Sequence, residues 1–158
     1  MIRDILIHPN KQLRVMSKSI PVKEIKSKEM SAFLIDMEET MLEKDGIGLA
    51  APQVGVQKRV IVVNTKDGVV SLINPKITKS SWRKESEEEG CLSVPGVYGY
   101  VKRSVRISVE AYGSKGEKIT FEARGLFARV IQHEVDHLDG VLFIDKAKKS
   151  RKINVSEE

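Results

Sequence analysis

The chain has 158 residues, of which 41% are apolar and 31% charged, and its formal net charge is +5 at pH 7. This length and composition are typical of one folded domain and exclude a chain that is disordered throughout. The mildly basic balance is compatible with an anionic partner such as ribosomal RNA but is too weak to indicate one. We predict one domain over 1–158, with a polar, frayed tail at 146–158.

The cysteine count and the N-terminus bear on the compartment. Cys91 is the only cysteine, so an internal disulfide is excluded and no oxidising compartment is implied. The first residues lack a long apolar segment and a small-residue cleavage site. No apolar run approaches the roughly 18 residues that span a bilayer. We therefore expect a cytoplasmic protein without a membrane segment.

The first clear helix is predicted over 28–44. Ser27 can cap its start, and Asp45-Gly46 can end it. Its apolar residues recur at helical spacing and form one stripe, namely Met30, Phe33, Leu34, Met37 and Met41.

The segment DGIGLAAPQVG at 45–55 follows this helix and is too apolar for an ordinary solvent-exposed loop. Gly46 and Gly48 let the backbone approach a neighbour closely. Gln53 is a polar residue in apolar company. It either satisfies local backbone groups or donates a hydrogen bond to a developing oxyanion.

Strand-like runs rich in β-branched residues occupy the middle of the chain. The runs at 59–64 and 69–77 are separated by the turn TKDG, and the alternating run at 101–112 leads across the turn GSKG to 117–123. A second helix, apolar enough to be buried, is predicted over 126–138. Because hairpins follow one another without alternating βα units, we predict an α+β fold with antiparallel β-sheets.

The second helix carries QHEVDH at 132–137 and two of the three histidines of the chain. His133 and His137 lie one turn apart on one helix face, so both rings can bind one metal ion. Glu134 lies beside them, where it can act as a general base without being a ligand. A chance match on a polar helix is the alternative. The apolar flanks of this helix favour the metal site, because buried histidines need partners.

A catalytic metal site needs a third protein ligand. The spacing of the metzincin proteases places Phe143 where their third histidine is required. Other zincins use a downstream glutamate, but the only glutamates after His137 are Glu157 and Glu158 in the polar tail. The third ligand is therefore expected from upstream, and the candidates are Cys91, His8 or a carboxylate. We favour Cys91, because a thiolate is a strong ligand for such metals. A lone cysteine is more commonly a buried, unreactive thiol.

Three segments resemble the three motifs of the peptide deformylase family: GIGLAAPQ at 46–53, EGCLS at 89–93 and QHEVDH at 132–137. The resemblance covers nearly the whole chain. It implies antiparallel β-sheets packed around a central C-terminal helix that carries the HExxH motif. It also implies hydrolytic removal of the formyl group from the N-terminal formylmethionine of newly made polypeptides, with release of formate.

The resemblance also implies roles for individual residues. Cys91, His133 and His137 match the family's metal ligands, for Fe2+ in the first place, with Zn2+, Ni2+ or Co2+ able to substitute. Glu134 matches the base that activates a metal-bound water. The oxyanion stabilisers are matched by Gln53 and the backbone N–H of Leu92.

Around the substrate, the family's positions are matched by Ile47, Gly48, Leu126 and Val130. Glu89 is included among these substrate-site residues, and it also matches one partner of a salt bridge to Arg103 that braces the cysteine loop. The implied partners are N-formylmethionyl peptides and, transiently, the ribosome, but neither DNA nor a membrane. The tail is shorter than in members that have a long C-terminal helix.

Three other functions compete with this interpretation. A metallopeptidase would share HExxH but lacks its third ligand here. A non-catalytic module that binds formylated N-termini would not need Glu134. A structural metal site usually has four protein ligands, and this chain offers three.

Overall fold

The computed structural model describes residues 1–153, which form three α-helices and two antiparallel sheets. The helices α1, α2 and α3 span Val22–Ile25, Lys28–Glu43 and Gly125–Leu138. The strands β1 to β8 span Gly48–Ala50, Val60–Thr65, Gly68–Ser80, Lys84–Cys91, Val94–Ser104, Arg106–Tyr112, Lys118–Arg124 and Lys148–Lys152. Within this part of the chain, no helix is long and apolar enough to cross a membrane.

Helix α2 confirms the first helix prediction. The Ser27 hydroxyl accepts a hydrogen bond from the Met30 N–H at 3.1 Å and so caps the first turn. The helix ends at Glu43, and Asp45 adopts a left-handed backbone conformation with a φ of 55° just beyond it. The apolar stripe of α2 is buried and packs against the inner side of β2. The 3.6-residue period therefore identified the buried face correctly.

The larger sheet has the strand order β1-β2-β3-β6-β7, and all its pairs are antiparallel. Its two predicted hairpins are confirmed, since β2 pairs with β3 and β6 pairs with β7. Helix α3 lies across this sheet, where Ile131 and Leu138 join a fully buried cluster with Ile61 and Leu72. The α+β class with antiparallel sheets around a central C-terminal helix is therefore confirmed.

The predicted strand at 101–112 is two strands, and this prediction is corrected. The chain leaves one sheet at Val105: β5 belongs to a three-stranded sheet of order β4-β5-β8, whereas β6 belongs to the larger sheet. Alternation of apolar and polar residues continues through Val105, so the pattern carries no mark of the change of sheet. This step brings the two sheets together over α3.

Two strands of the smaller sheet were not predicted. Strand β4 has the acidic sequence KESEEEGC and ends at Cys91, so the cysteine that the resemblance places in a loop is the last residue of a strand. Strand β8 pairs with β5 at Lys148–Lys152, so the predicted frayed end is wrong for these five residues. Residues 154–158 of the predicted tail lie outside the described residues.

Candidate active site

Helix α3 begins directly at the end of β7, without a connecting loop. Gly125 takes up the change of direction with a φ of 59°, a conformation that favours glycine. One face of the helix then presents His133 and His137 to the interior, with their ring centroids 5.0 Å apart. Both residues are buried, with exposed fractions of 8% and 1%. The predicted one-turn spacing thus places two imidazoles side by side.

Strand β4 brings a thiol to these two rings. Cys91 is the last residue of β4, and one ligand atom from each of Cys91, His133 and His137 lies within 4.8 Å of the other two. The Cys91 Sγ and the His137 Nε2 are 3.3 Å apart. His8, the other histidine considered, is exposed and lies outside this group. The structure therefore brings Cys91 to the two histidines.

The ring of His133 is oriented by two neighbours. Its Nδ1 lies 2.8 Å from the Glu89 Oε1, which leaves Nε2 free to face Cys91 and His137. Phe143, which occupies the position of the metzincin third histidine, stacks on this ring with a centroid distance of 6.0 Å. Where metzincins have a third histidine ligand, this chain therefore has a phenylalanine ring that packs against a candidate ligand.

The two imidazoles differ in their affinity for protons. Burial opposes a charge on His133, but its contacts with Cys91 and Glu89 raise its pKa to about 10. Burial, and then the charge of His133, lower the pKa of His137, so that ring is neutral. A divalent cation must therefore displace a proton from His133, as metal binding to an imidazole requires.

Glu134 is a buried carboxyl group beside the ligand cluster. Its side chain is only 5% exposed, and its Oε1 lies 4.0 Å from the His133 Nε2. Its Oε2 has no hydrogen-bond partner among residues 1–153. Burial raises the pKa of Glu134 to about 7. A carboxyl group with such a pKa can accept and release a proton near neutral pH.

Gln53 fulfils one of the two roles that its sequence context left open, and its orientation is compatible with the other. Its Oε1 accepts a hydrogen bond from the Ala50 N–H at 2.9 Å, which satisfies local backbone. Its Nε2 donates to the Ser93 Oγ at 3.1 Å and lies 3.6 Å from the Cys91 Sγ. The amide is thus held with its N–H groups toward the cluster. Leu92 occupies the tight turn that connects β4 to β5, directly after the cysteine.

A cavity of about 440 Å³ opens beside the cluster. The predicted substrate-site residues all line it, namely Ile47, Gly48, Glu89, Leu126 and Val130. Ile47 and Leu126 are 55% and 63% exposed, so the first turn of the otherwise largely buried α3 opens to solvent at the cavity. Two apolar side chains at the mouth and Val130 at the base make this cavity suited to an apolar side chain.

Gly48 explains how β1 approaches α3 so closely. A Cβ atom at this position would lie 2.7 Å from the Val130 Cγ1 and 2.8 Å from the Glu134 Oε1. Distances this short are not tolerated between non-bonded atoms, so a larger residue would displace the carboxyl group. The predicted close approach of the backbone at Gly48 is thus observed, and it requires a residue without a side chain at this wall of the cavity.

Glu89 lines the cavity, but its carboxylate is already engaged. Arg103 donates to both oxygens at 2.7 and 2.9 Å, which is the predicted salt bridge, and Arg129 donates to Oε2 at 2.6 Å. Although burial opposes ionisation, hydrogen bonds from His133 and Arg103 lower the pKa of Glu89 to about 2. This geometry favours a role in orienting His133 over the direct substrate contact that the resemblance had implied.

Arg129 was missed by sequence reasoning. Its buried guanidinium donates to Glu89 and to the carbonyl groups of Val101 and Glu85, at 2.6, 2.9 and 2.7 Å, and so fastens α3 to the smaller sheet. An arginine one turn before His133, in the otherwise apolar stretch 126–131, was the available signal. Asp136, on the same helix, pairs with Arg103 at 2.8 Å.

Together, the fold and this site define an α+β hydrolase that has a buried carboxyl group next to a cysteine–histidine–histidine group able to hold a metal ion. The polypeptide deformylase family model matches residues 2–153. The chain belongs to the peptide deformylase family and is an enzyme of that family. Members of the family remove the N-formyl group from nascent polypeptides and thereby act in protein biosynthesis.

Individual relatives agree with this assignment over most of the chain. A peptide deformylase of Desulfitobacterium hafniense is 47% identical over 133 residues, which are 84% of this chain and 87% of the relative. The crystal structure of peptide deformylase from Thermotoga maritima has a TM-score of 0.90 and 38% identity, and covers 94% of this chain and 99% of its own. A class I type b peptide deformylase from Acinetobacter baumannii, solved with Met-Ala-Ser bound, has a TM-score of 0.89, 34% identity and coverages of 92% and 98%.

Proposed function

We propose that this chain hydrolyses the formamide bond of N-formylmethionyl peptides with the aid of one divalent cation held by Cys91, His133 and His137. One observation carries the proposal: the ligand atoms of these residues converge within 4.8 Å beside the buried carboxyl group of Glu134. Three protein ligands with one open position are typical of catalytic sites, whereas structural sites usually have four.

The residues present fit a transition-metal ion. A thiolate and two imidazoles suit Fe2+, which we propose as the native ion, and Zn2+, Ni2+ and Co2+ fit the same donors. The contact of His133 with Glu89 at 2.8 Å orients a ring nitrogen toward the other ligands, as carboxylates commonly do behind metal-binding histidines. When bound, the cation supplies Lewis acidity, which polarises the formyl oxygen and makes water more acidic.

The residues of the chain then move the protons. Glu134 accepts a proton from the water molecule that attacks the formyl carbon, and its raised pKa suits this task near neutral pH. The Gln53 amide and the Leu92 N–H stabilise the negative charge that develops on the formyl oxygen. Glu134 next donates its proton to the leaving nitrogen. The C–N bond breaks, and the products are formate and a free amino terminus.

The cavity beside the cluster provides the proposed site for the methionine side chain. Ile47, Leu126 and Val130 supply apolar contacts. Gly48 lets β1 lie against Val130 and Glu134 at the cavity wall, where we propose that its backbone contacts the peptide. The Met-Ala-Ser bound to the Acinetobacter baumannii protein supports a peptide of this kind as the ligand. We propose that Glu89 acts through His133 and does not contact the peptide.

The broader context is also a proposal. We infer that residues 1–158 act as one domain, in the cytoplasm, with nascent N-formylmethionyl polypeptides as substrates. Transient contact with the ribosome would give access to these substrates. The family's part in protein biosynthesis supports the nascent substrates and the contact with the ribosome.

The test is formate release by protein loaded anaerobically with Fe2+. Formyl-Met-Ala should release formate, whereas acetyl-Met-Ala should remain intact, because a methyl group is larger than the formyl hydrogen. The variant Glu134→Gln should bind one metal ion per chain but turn over about 100-fold to 10,000-fold more slowly. Glu122→Gln, which changes an exposed carboxylate on β7, is the matched control and should keep its rate.

Two results would contradict this function. Metal-loaded protein that releases no formate would exclude deformylation as its activity. A Glu134→Gln variant with near-normal turnover would remove Glu134 from the role of base while leaving the substrate assignment intact.

A further inference from the structure

Trp82 is the only tryptophan of the chain, and its side chain is fully exposed. It lies in the short turn between β3 and β4, outside the residues that line the catalytic cavity. It lines two depressions, of about 430 and 520 Å³. Burial of a tryptophan ring is strongly favourable, so a ring left in solvent beside two depressions marks a candidate contact surface.

Strand register extends this surface across the smaller sheet. Lys84 pairs with Ser104, and Ser86 pairs with Lys102, so both lysines project from the same side of the sheet as Tyr100. Lys148 on β8 pairs with Tyr100 and joins them. The intervening residues of β5 point inward and are buried, whereas Tyr100 is 43% exposed. We name Trp82, Lys84, Tyr100, Lys102 and Lys148 the basic aromatic face.

Acidic residues near this face are already paired. The pairs, with their shortest N–O distances, are Glu88 with Arg151 at 2.6 Å, Glu85 with Arg83 at 3.4 Å, Glu122 with Arg124 at 2.8 Å and Asp136 with Lys146 at 2.9 Å. Within residues 1–153, Lys84, Lys102, Lys148 and the adjacent Arg106 have no acidic partner within 4.0 Å. The face therefore carries an uncompensated positive charge.

We propose that the basic aromatic face binds single-stranded RNA. Lysines at sheet spacing can follow a phosphate backbone, and exposed rings can stack on unpaired bases. A duplex hides its base faces and so gains nothing from Trp82. An acidic polypeptide would engage the lysines but leave the ring without a planar partner. Because no residue of this face lines the catalytic cavity, RNA binding is independent of the proposed deformylation.

Intrinsic fluorescence offers a direct test, because tryptophan emission reports on Trp82 alone. Titration of the full chain with an oligouridylate of about ten nucleotides should quench this emission as a base stacks on the ring. The affinity should fall with salt, with a slope of log K against log salt of about −2 to −3 for three or four phosphate contacts.

Charge-reversal variants test the lysines. Lys84→Glu combined with Lys102→Glu should weaken binding of labelled RNA at least about tenfold and make the salt slope shallower. Lys23→Glu combined with Lys28→Glu changes the net charge equally on the exposed surface of α1 and α2, and should weaken binding less than about twofold. Formate release should be unchanged in both variants, which verifies that they are folded.

Trp82 variants test the stacking contact. Trp82→Ala should weaken RNA binding about fivefold or more, and Trp82→Phe should retain most of it, since phenylalanine also stacks. Inorganic polyphosphate should bind more weakly than RNA and leave the tryptophan emission unchanged, because it lacks bases.

Three outcomes would overturn the proposal. Polyphosphate that binds as tightly as RNA would reduce the surface to a nonspecific anion-binding patch. Equal losses in the two double variants would show that net charge alone is responsible. Binding to phosphatidylserine vesicles with a shift of the Trp82 emission, in the absence of RNA binding, would assign the face to an anionic membrane surface.

Discussion

A single carboxylate, Glu89, connects the metal-ligand cluster to the smaller sheet. Its two oxygens accept hydrogen bonds from Arg103 and Arg129 and hold the His133 ring. All four side chains are buried, so the charges depend on one another for solvation. The position of a candidate metal ligand is thereby coupled to the packing of β4 and β5 against α3.

Glu89→Gln should be strongly destabilising. The amide cannot balance two buried guanidinium groups, and removal of one partner from such a network typically costs about 3–5 kcal/mol. Urea denaturation should measure this loss. Glu88→Gln removes the neighbouring carboxylate, whose partner Arg151 is 56% exposed, and should leave the free energy of unfolding nearly unchanged, because solvent screens exposed ion pairs. Equal, small losses in the two variants would show that the Glu89 network contributes little to folding.

Most candidate site residues were predictable because their chemistry requires a short local pattern. The one-turn spacing of His133 and His137 is visible in any helix, and a glycine such as Gly48 indicates close backbone approach. Arg129 was not predictable, because its partners lie on strands whose distance from α3 is set by tertiary packing. The exposure of Leu126 has the same cause, since helical periodicity does not show where a cavity opens.

At the scale of elements, sequence patterns identified the helices and strands that bury apolar side chains. They missed the strands that are rich in charged residues. Strand β4 has five charged residues among its eight, a composition with low intrinsic preference for β structure. It is held by its pairing with β5 and by arginines that meet Glu88 and Glu89. The hairpin pairing is local, but the arginines are distant in sequence, since Arg103 lies 14 residues from Glu89 and Arg151 lies 63 residues from Glu88. The division of 101–112 at Val105 likewise depends on which sheet each half joins.

The contact between β1 and α3 yields a prediction for Gly48→Ala. The added methyl group would press on Val130 and the Glu134 carboxyl group, so we expect kcat/KM to fall at least about tenfold and stability to fall by about 1–3 kcal/mol. Steady-state deformylation and thermal denaturation measure the two effects. Gly113→Ala is the matched control, because the three atoms nearest to its new Cβ all belong to the exposed, flexible Glu117 side chain. Unchanged kinetics for Gly48→Ala would mean that the wall can move without displacing Glu134.

At the scale of the whole molecule, the fold predicted from the hairpins is right, while the joints between its layers were not visible in the sequence. One such joint links the N-terminal segment to the turn that follows α3. The Arg14 guanidinium donates to both oxygens of Asp145, at 2.5 and 3.0 Å. The partners are 131 residues apart, so no local pattern could indicate this pair. Leu142 also donates its backbone N–H to Asp145 at 3.0 Å.

This joint predicts a dependence of stability on pH. The hydrogen bond from Arg14 is the main cause that lowers the pKa of Asp145 below its ordinary value of 3.8. Since the folded state binds this proton less tightly than the unfolded state, the stabilisation is present above about pH 4 and is lost as the pH falls through the folded pKa.

Asp145→Asn should therefore lower the free energy of unfolding at pH 7, and its difference from the parent should shrink toward zero as the pH falls through the lowered pKa of folded Asp145. Both side chains are more than a third exposed, so solvent screening limits the loss to about 1 kcal/mol. Urea midpoints measured across this range test the expectation, with Asp67→Asn in an exposed turn as a control that should not change. A difference between Asp145→Asn and the parent that stays constant down to the lowest pH would show that the joint is held by the shape of the side chain, because ionisation would then contribute nothing.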